Sequence, residues 1–263
     1  MVYVLLPARL ILIPGILIKR LRRENHSVAA NKIALLVAKH FKAVEWGARA
    51  ALKMGVGINK VVGKNAMTTI TRGVKKMIPA MPLWSAQIGY PPDCSVIKLK
   101  KQANTAAKST VVYFPSCISR MLGAYEGKEK NIMETFMSIC NKSGIDVVVI
   151  GNVSGSCCSQ IFSSKGFNDA CHFTANDIAD RLWKSSNEGA FPIVIDVSSC
   201  AYTLHNIRPI LNEGNKNRFD QLTILDSVDF LHDMVMPTAI VKQKKSNIVL
   251  HPVCSLEENE NSQ

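Results

Sequence analysis

Three short, largely apolar runs punctuate the second half of the chain, at residues 111–114, 145–150 and 193–197. Each is rich in β-branched residues and gives way to Pro, Gly or Ser, the pattern of a strand covered on both faces. Between them, residues 129–142 and 168–186 carry helical spacing, so the order is strand, helix, strand, helix, strand. That alternation predicts an α/β fold with a Rossmann-like parallel sheet and helical crossovers. Upstream the period changes. Ser27 is placed as an N-cap, and Ile33, Leu36, Val37, His40, Phe41, Val44, Ala48, Ala51 and Leu52 recur every three or four residues up to Gly55. A second helix is predicted over 58–78, stopped by Pro79. The predicted organisation is a helical connector over 1–97, a linker over 98–110 with little periodicity, and an α/β domain over 111–247.

The first eighteen residues are apolar but interrupted by Pro7, Arg9, Pro14 and Gly15. A membrane span needs about twenty apolar residues, and a secretory signal needs a positive residue before its apolar run. The segment meets neither requirement and reads as ordinary coding sequence.

Candidate chemistry lies at the ends of the predicted strands. Of the eight cysteines, Cys117, the adjacent pair Cys157 and Cys158, and Cys200 each follow one of the three runs. In an open parallel sheet the loops after the strands share one edge, which forms the ligand crevice. The four thiols are therefore expected to converge. In a reducing cytoplasmic compartment, such a set suits iron-sulfur or zinc better than disulfides, and immediate neighbours such as Cys157 and Cys158 bridge poorly. Cys140 and Cys171 fall in helical patterns and read as core, while Cys94 sits in a Pro-Pro-Asp-Cys linker and is given no role. Cys254 closes Ile248-Val249-Leu250-His251-Pro252-Val253-Cys254, an echo of Val111-Val112-Tyr113-Phe114-Pro115-Ser116-Cys117. The echo predicts the start of a truncated second repeat over 248–263. His205 and His251 are further candidate ligands of a mixed site, although a lone histidine near a strand end more often makes local hydrogen bonds.

Charge sharpens the division into halves. The net charge is +12, yet residues 1–110 hold 19 Lys and Arg against 3 acids, while the rest holds 13 against 17. The basic half suits a solvated face, an anionic membrane surface approached from the cytoplasmic side, or an acidic partner. Nucleic acid is not expected, because few aromatics interleave the charges and no RNA-binding module is apparent. With 47% apolar residues in 263, the chain can bury a core in one or two domains.

Phe114-Pro115-Ser116-Cys117, the stretch Gly155-Ser156-Cys157-Cys158-Ser159-Gln160-Ile161-Phe162-Ser163-Ser164-Lys165-Gly166-Phe167, and Asp196-Val197-Ser198-Ser199-Cys200-Ala201-Tyr202-Thr203 resemble the cysteine-rich "CCG" domain of iron-sulfur oxidoreductases. That domain is known from the heterodisulfide reductase and glycolate oxidase families, usually as a tandem pair. The Phe-Ser-Ser-Lys-Gly stretch is most similar to the FAD-linked D-lactate dehydrogenases. Leu17-Ile18-Lys19-Arg20-Leu21-Arg22, Ala38-Lys39-His40-Phe41 and Pro82-Leu83-Trp84 resemble the helical connector that follows the ferredoxin domain in that family. The resemblance implies a cluster, 4Fe-4S by ligand number, held by Cys117, Cys157, Cys158 and Cys200. It also implies electrons drawn from FAD on another domain or chain, a ferredoxin-type partner, and a D-2-hydroxy-acid substrate. Lys165, seven residues after Cys158, would offset the charge of the cluster or be a surface lysine.

Departures from the family pattern are equally specific. Cys-Cys-Gly is here Cys157-Cys158-Ser159, and a terminal CxxC is here Cys200-Ala201-Tyr202-Thr203. A serine at 159 is expected to crowd a turn where glycine takes positive φ at no cost. No Gly-rich FAD domain and no CxxCxxC run is present, so the chain reads as part of a larger enzyme, a split subunit or a truncated product. A zinc-binding or metal-free structural module and an inactive fragment remain open alternatives.

Overall fold

The structure, a computed structural model, describes residues 17–78, 82–85, 88–94, 109–123 and 130–239. Most of the 98–110 linker, the 248–263 repeat with His251 and Cys254, and nearly all of the apolar N-terminal segment lie outside them. Residues 17–24 form helix α1. They are followed by α2 (Val28–Lys39), α3 (Phe41–Val62) and α4 (Ala66–Met77). The α/β unit then runs β1 (Ser109–Phe114), α5 (Cys117–Met121), α6 (Ile132–Lys142), β2 (Ile145–Val149), α7 (Gln160–Lys165) and α8 (Asn168–Ser185). It continues through β3 (Ile193–Ile195), α9 (Ser198–His205), α10 (Glu213–Phe219), β4 (Ile224–Asp226) and α11 (Ser227–Phe230).

The sheet is wholly parallel, in the order β2-β1-β3-β4, with Tyr113 opposite Val149, Val112 opposite Ile193 and Ile195 opposite Asp226. The fold is therefore the α/β class that the alternating pattern predicts. Because β2 and β3 flank β1 on opposite sides, the chain reverses direction across β1, and the loops after β1 and β3 diverge there. Such a reversal leaves a crevice at the carboxyl edge of the sheet. Asp196, just past β3, fixes its floor by accepting from the Tyr113 hydroxyl at 2.8 Å and from the Ser116 amide at 2.9 Å.

Two apolar cores form. The larger one is built on both faces of the sheet, where Val111, Val147, Ile193 and Val194 meet Met133, Phe136 and Cys140 of α6, Ile178 and Leu182 of α8, and Phe230. Tyr113 stacks on Phe136 with ring centroids 4.0 Å apart, an arrangement worth about 0.5–1.5 kcal/mol beyond burial. The smaller core joins the helical segment to the α/β unit. It comprises Ala34 and Ala38 of α2, Phe41 of α3, Phe162 of α7, Ala170 and Cys171 of α8, and Cys157.

Four details differ from the sequence reading, the first being that the helix predicted over 58–78 is broken at 63–65 between α3 and α4. The helix predicted from Ser27 to Gly55 breaks at His40 and resumes through Gly55 to Val62. Gly55 does not end it, because the Trp84 ring lies against that glycine, where a Cβ would come within 2.4 Å of ring carbons. Residues 109 and 110, placed in the linker by composition, begin β1. The fourth strand, β4, is only three residues long, too short to show a period. Among the described residues, no helix is long and apolar enough to cross a membrane.

Candidate metal centre

Each thiol is placed by the turn that ends a strand. After β1, Pro115 leads to Ser116, whose side chain caps α5 by accepting from the Ser119 amide, so Cys117 is the first residue of that helix. After β2, the loop returns through Gly155 and Ser159 to present Cys157 and Cys158 just before α7. Both turns require positive φ, +86° at Gly155 and +75° at Ser159. At Gly155 a Cβ would lie 2.7–2.9 Å from Lys42 atoms of α3, so only glycine lets the helix approach this closely. Ser159 takes the left-handed conformation with a side chain and is fully buried. After β3, Cys200 enters the first turn of α9.

The four thiols follow one another as a chain of neighbours. Cys158 Sγ lies 3.1 Å from Cys200 Sγ, and Cys157 lies beside both Cys117 and Cys158, near enough for each to shift its neighbour's pKa. The series crosses the boundary between the cores, since Cys158 and Cys200 belong to the sheet core, Cys157 belongs to the smaller one, and Cys117 packs against the latter. Burial and the neighbouring thiols raise the pKa of Cys117, Cys157 and Cys158. The interaction with Cys157, then burial, pushes the Cys117 thiol far up. At Cys157 the interaction with Cys117 favours the thiolate, but the interaction with Cys158 and burial outweigh it and push the group up to about 12. Cys158 is raised in the same way: its interaction with Cys157 favours the thiolate, while its interaction with Cys200 and burial oppose that more strongly. The backbone amides of Ser159 and Gln160 favour the thiolate forms of Cys157 and Cys158 respectively.

Beneath the sulfurs sits a buried ion pair that sequence reasoning missed. Arg120 Nε donates to Glu45 Oε1 at 3.0 Å and Nη2 to Glu45 Oε2 at 2.7 Å, with side chains only 1% and 4% exposed. The guanidinium also donates to the Pro115 carbonyl at 2.6 Å and the Ser156 carbonyl at 2.7 Å, while Glu45 Oε2 accepts from the Gly155 amide at 2.9 Å. One pair thus ties α3 to the loops that carry Cys117 and Cys157. Burial lowers the Arg120 pKa, but the bond to Glu45 and the charge of Glu45 together outweigh it and hold the pKa above the ordinary value. The available signal was Glu45 itself, one of only 3 acids among the first 110 residues. Arg49 completes the support, donating to the Arg120 carbonyl, to Cys94 Sγ at 3.3 Å and to the Pro92 carbonyl at 2.7 Å. Cys94 therefore packs on this arrangement, although the sequence suggested no role for it.

The remaining candidates lie elsewhere. Lys165 is exposed at the last residue of α7, at the other end of that helix from Cys158, and its carbonyl hydrogen-bonds His26 Nε2 at 2.7 Å. His205 lies at the end of α9, its surface exposed but its ring partly desolvated, which lowers its pKa against the pull of Asp229 and Asp226. Cys140 lies in the sheet core and Cys171 in the smaller core, both apart from the four thiols.

The donor set suits a thiolate-bound metal: four soft ligands, two backbone amides that favour thiolate, and a buried guanidinium nearby to offset negative charge. Among the described residues, no group of three or more His, Cys, Asp or Glu side chains is already arranged around a metal position. Loading would bond the sulfurs to metal and release the thiol protons. Comparison with family models, with curated proteins and with solved structures finds no match to this chain.

Proposed function

We propose that Cys117, Cys157, Cys158 and Cys200 hold an iron-sulfur cluster, 4Fe-4S by ligand number. On this reading the chain is the electron-transfer portion of an FAD-linked D-2-hydroxy-acid dehydrogenase of the D-lactate type. The observation that carries the proposal is the succession of neighbouring thiols, drawn from three strand ends onto the switch point of the sheet. When bound, such a cluster supplies one-electron redox chemistry, and the flavin and a ferredoxin-type centre belong to another domain or chain. The chain's own residues hold the sulfurs, exclude water and tune the site. The amides of Ser159 and Gln160 stabilise sulfur charge, and hydrogen bonds to sulfur raise a reduction potential. Arg120 adds a fixed positive charge that Glu45 keeps in place.

The basic helical half supplies the docking side. Lys19, Arg20, Arg22 and Arg23 of α1 alternate with exposed Leu17, Ile18 and Leu21, and exposed Ile33 and Leu36 continue the apolar surface on α2. This surface suits the FAD-bearing partner, in the cytoplasm or peripherally at the cytoplasmic face of an anionic membrane.

One observation favours a second reading, a structural zinc site. Zinc–sulfur bonds of about 2.3 Å place tetrahedral sulfurs about 3.8 Å apart, wider than the 3.1 Å between Cys158 and Cys200 but nearer to it than the spacing of cysteine sulfurs on different irons of a cluster. The test is metal content after anaerobic reconstitution with iron and sulfide. Cys158→Ser is expected to lose most of the bound iron, whereas Cys140→Ser, altered in the sheet core, retains it. Equal iron in the two variants would remove the assignment.

A further inference from the structure

A cavity of about 480 Å³ opens beside the carboxyl end of β2, between the 149–155 segment, the α2–α3 junction and α8. The volume lies in the usual range for small-molecule sites. Its charge is one-sided. Arg181 and Asp177 on α8 neutralise each other, with Nη2 donating to Asp177 Oδ1 at 3.0 Å, and Arg181 Nη1 braces the loop at the Asn152 carbonyl, 2.8 Å away. Lys39 and Lys42 line the opposite wall, and neither makes an ion pair among the described residues. Two exposed lysines without an ion-pair partner among the described residues therefore line one half-open pocket. Phe173, partly exposed, supplies an apolar wall beside them.

We infer that this cavity binds a small phosphorylated molecule, with Lys39 and Lys42 on the phosphate and Phe173 against the organic part. A phosphate monoester carries about −1.5 to −2 charges at neutral pH, which matches two lysines. Lysine binds phosphate as a point charge, without the bidentate geometry that would favour a carboxylate clamp. The position also fits, because open α/β sheets bind ligands outside the carboxyl ends of their strands. The site needs none of the four thiols, so it stands or falls apart from the cluster assignment. It does share their loop: the segment that floors it continues through Gly155 and Ser156 into Cys157.

The test is calorimetric titration of the full chain at fixed ionic strength with inorganic phosphate, AMP and, as a dicarboxylate control, succinate. Saturable one-site binding is expected for phosphate and AMP, with AMP the tighter and succinate weaker than either. Lys39→Gln/Lys42→Gln is expected to weaken both phosphate ligands at least about tenfold, with an unchanged unfolding midpoint in the absence of ligand. Phe173→Ala is expected to weaken AMP and spare phosphate, which separates a nucleotide from free phosphate as the occupant. Absence of saturable binding, wild-type affinity in the folded double lysine variant, or succinate binding as tightly as phosphate would overturn the inference.

Discussion

The two cores are built by different rules, and the thiols lie where they meet. The sheet core is made of consecutive β-branched residues on central strands, covered by α6 and α8, and its packing alone places Cys140, Cys158 and Cys200. The smaller core contains three alanines, two phenylalanines and two cysteines, with an edge-on Phe41–Phe162 pair at 6.3 Å. Small side chains bury little area, so apolar contact contributes less here at about 25 cal/mol per Å². Polar fixings supplement it, chiefly Glu45 and Arg120, with Gly155 allowing the close approach. The comparison teaches that a domain's main core can place half of a group of thiols while the other half rests on a smaller core tied by one buried ion pair.

The largest effect should come from breaking that pair. Glu45→Gln leaves a buried guanidinium without a counter-charge and is expected to cost about 3–5 kcal/mol, read from urea unfolding. Arg120→Met in the same chain should recover part of the loss, because the two residues are coupled. A Glu45→Gln variant as stable as wild type would show that the smaller core holds without its ionic tie.

A pH series probes the sheet core separately. Burial pushes the Cys140 thiol from an ordinary 9.0 up to about 12. The unfolded thiol ionises first, so the stability from keeping Cys140 neutral is fully present below about pH 9 and is lost as pH rises towards 12. Wild type should therefore lose stability more steeply across that window than Cys140→Ala. Parallel slopes would contradict the burial account.

The smallest effect is expected at the junction. Ser159 holds φ +75° with a buried side chain, and a non-glycine residue there costs about 1–2 kcal/mol. Ser159→Gly should stabilise the protein by about 1 kcal/mol after the entropy of the unfolded chain is counted. A lower urea midpoint would mean that the serine side chain contributes more than its backbone costs.

The difference between the cores also explains what the sequence made legible. Strands buried on both faces announce themselves as apolar runs, so β1, β2 and β3, and with them the gathering of Cys117, Cys157, Cys158 and Cys200, could be anticipated. The turn at Ser159 was legible only through the resemblance, in which a glycine follows the cysteine pair. The break at His40 was not, because no Pro or Gly marks it and its cause is tertiary: past it, Phe41 and Glu45 turn onto the loop that carries Cys157. The Glu45–Arg120 pair was equally hidden, since 75 residues separate its members and neither carries a local pattern. Lys165 shows the opposite failure, in which proximity along the chain suggested a role but a helix carries the side chain away from the sulfurs.

The central claim is that the group of four thiols is a redox metal site, and the most direct measurement is iron, sulfide and zinc content with a visible spectrum on anaerobically prepared protein. The account predicts near-stoichiometric iron and sulfide, with a broad visible band that bleaches on reduction. Colourless protein that takes up zinc or no metal, after reconstitution has been attempted, would contradict it.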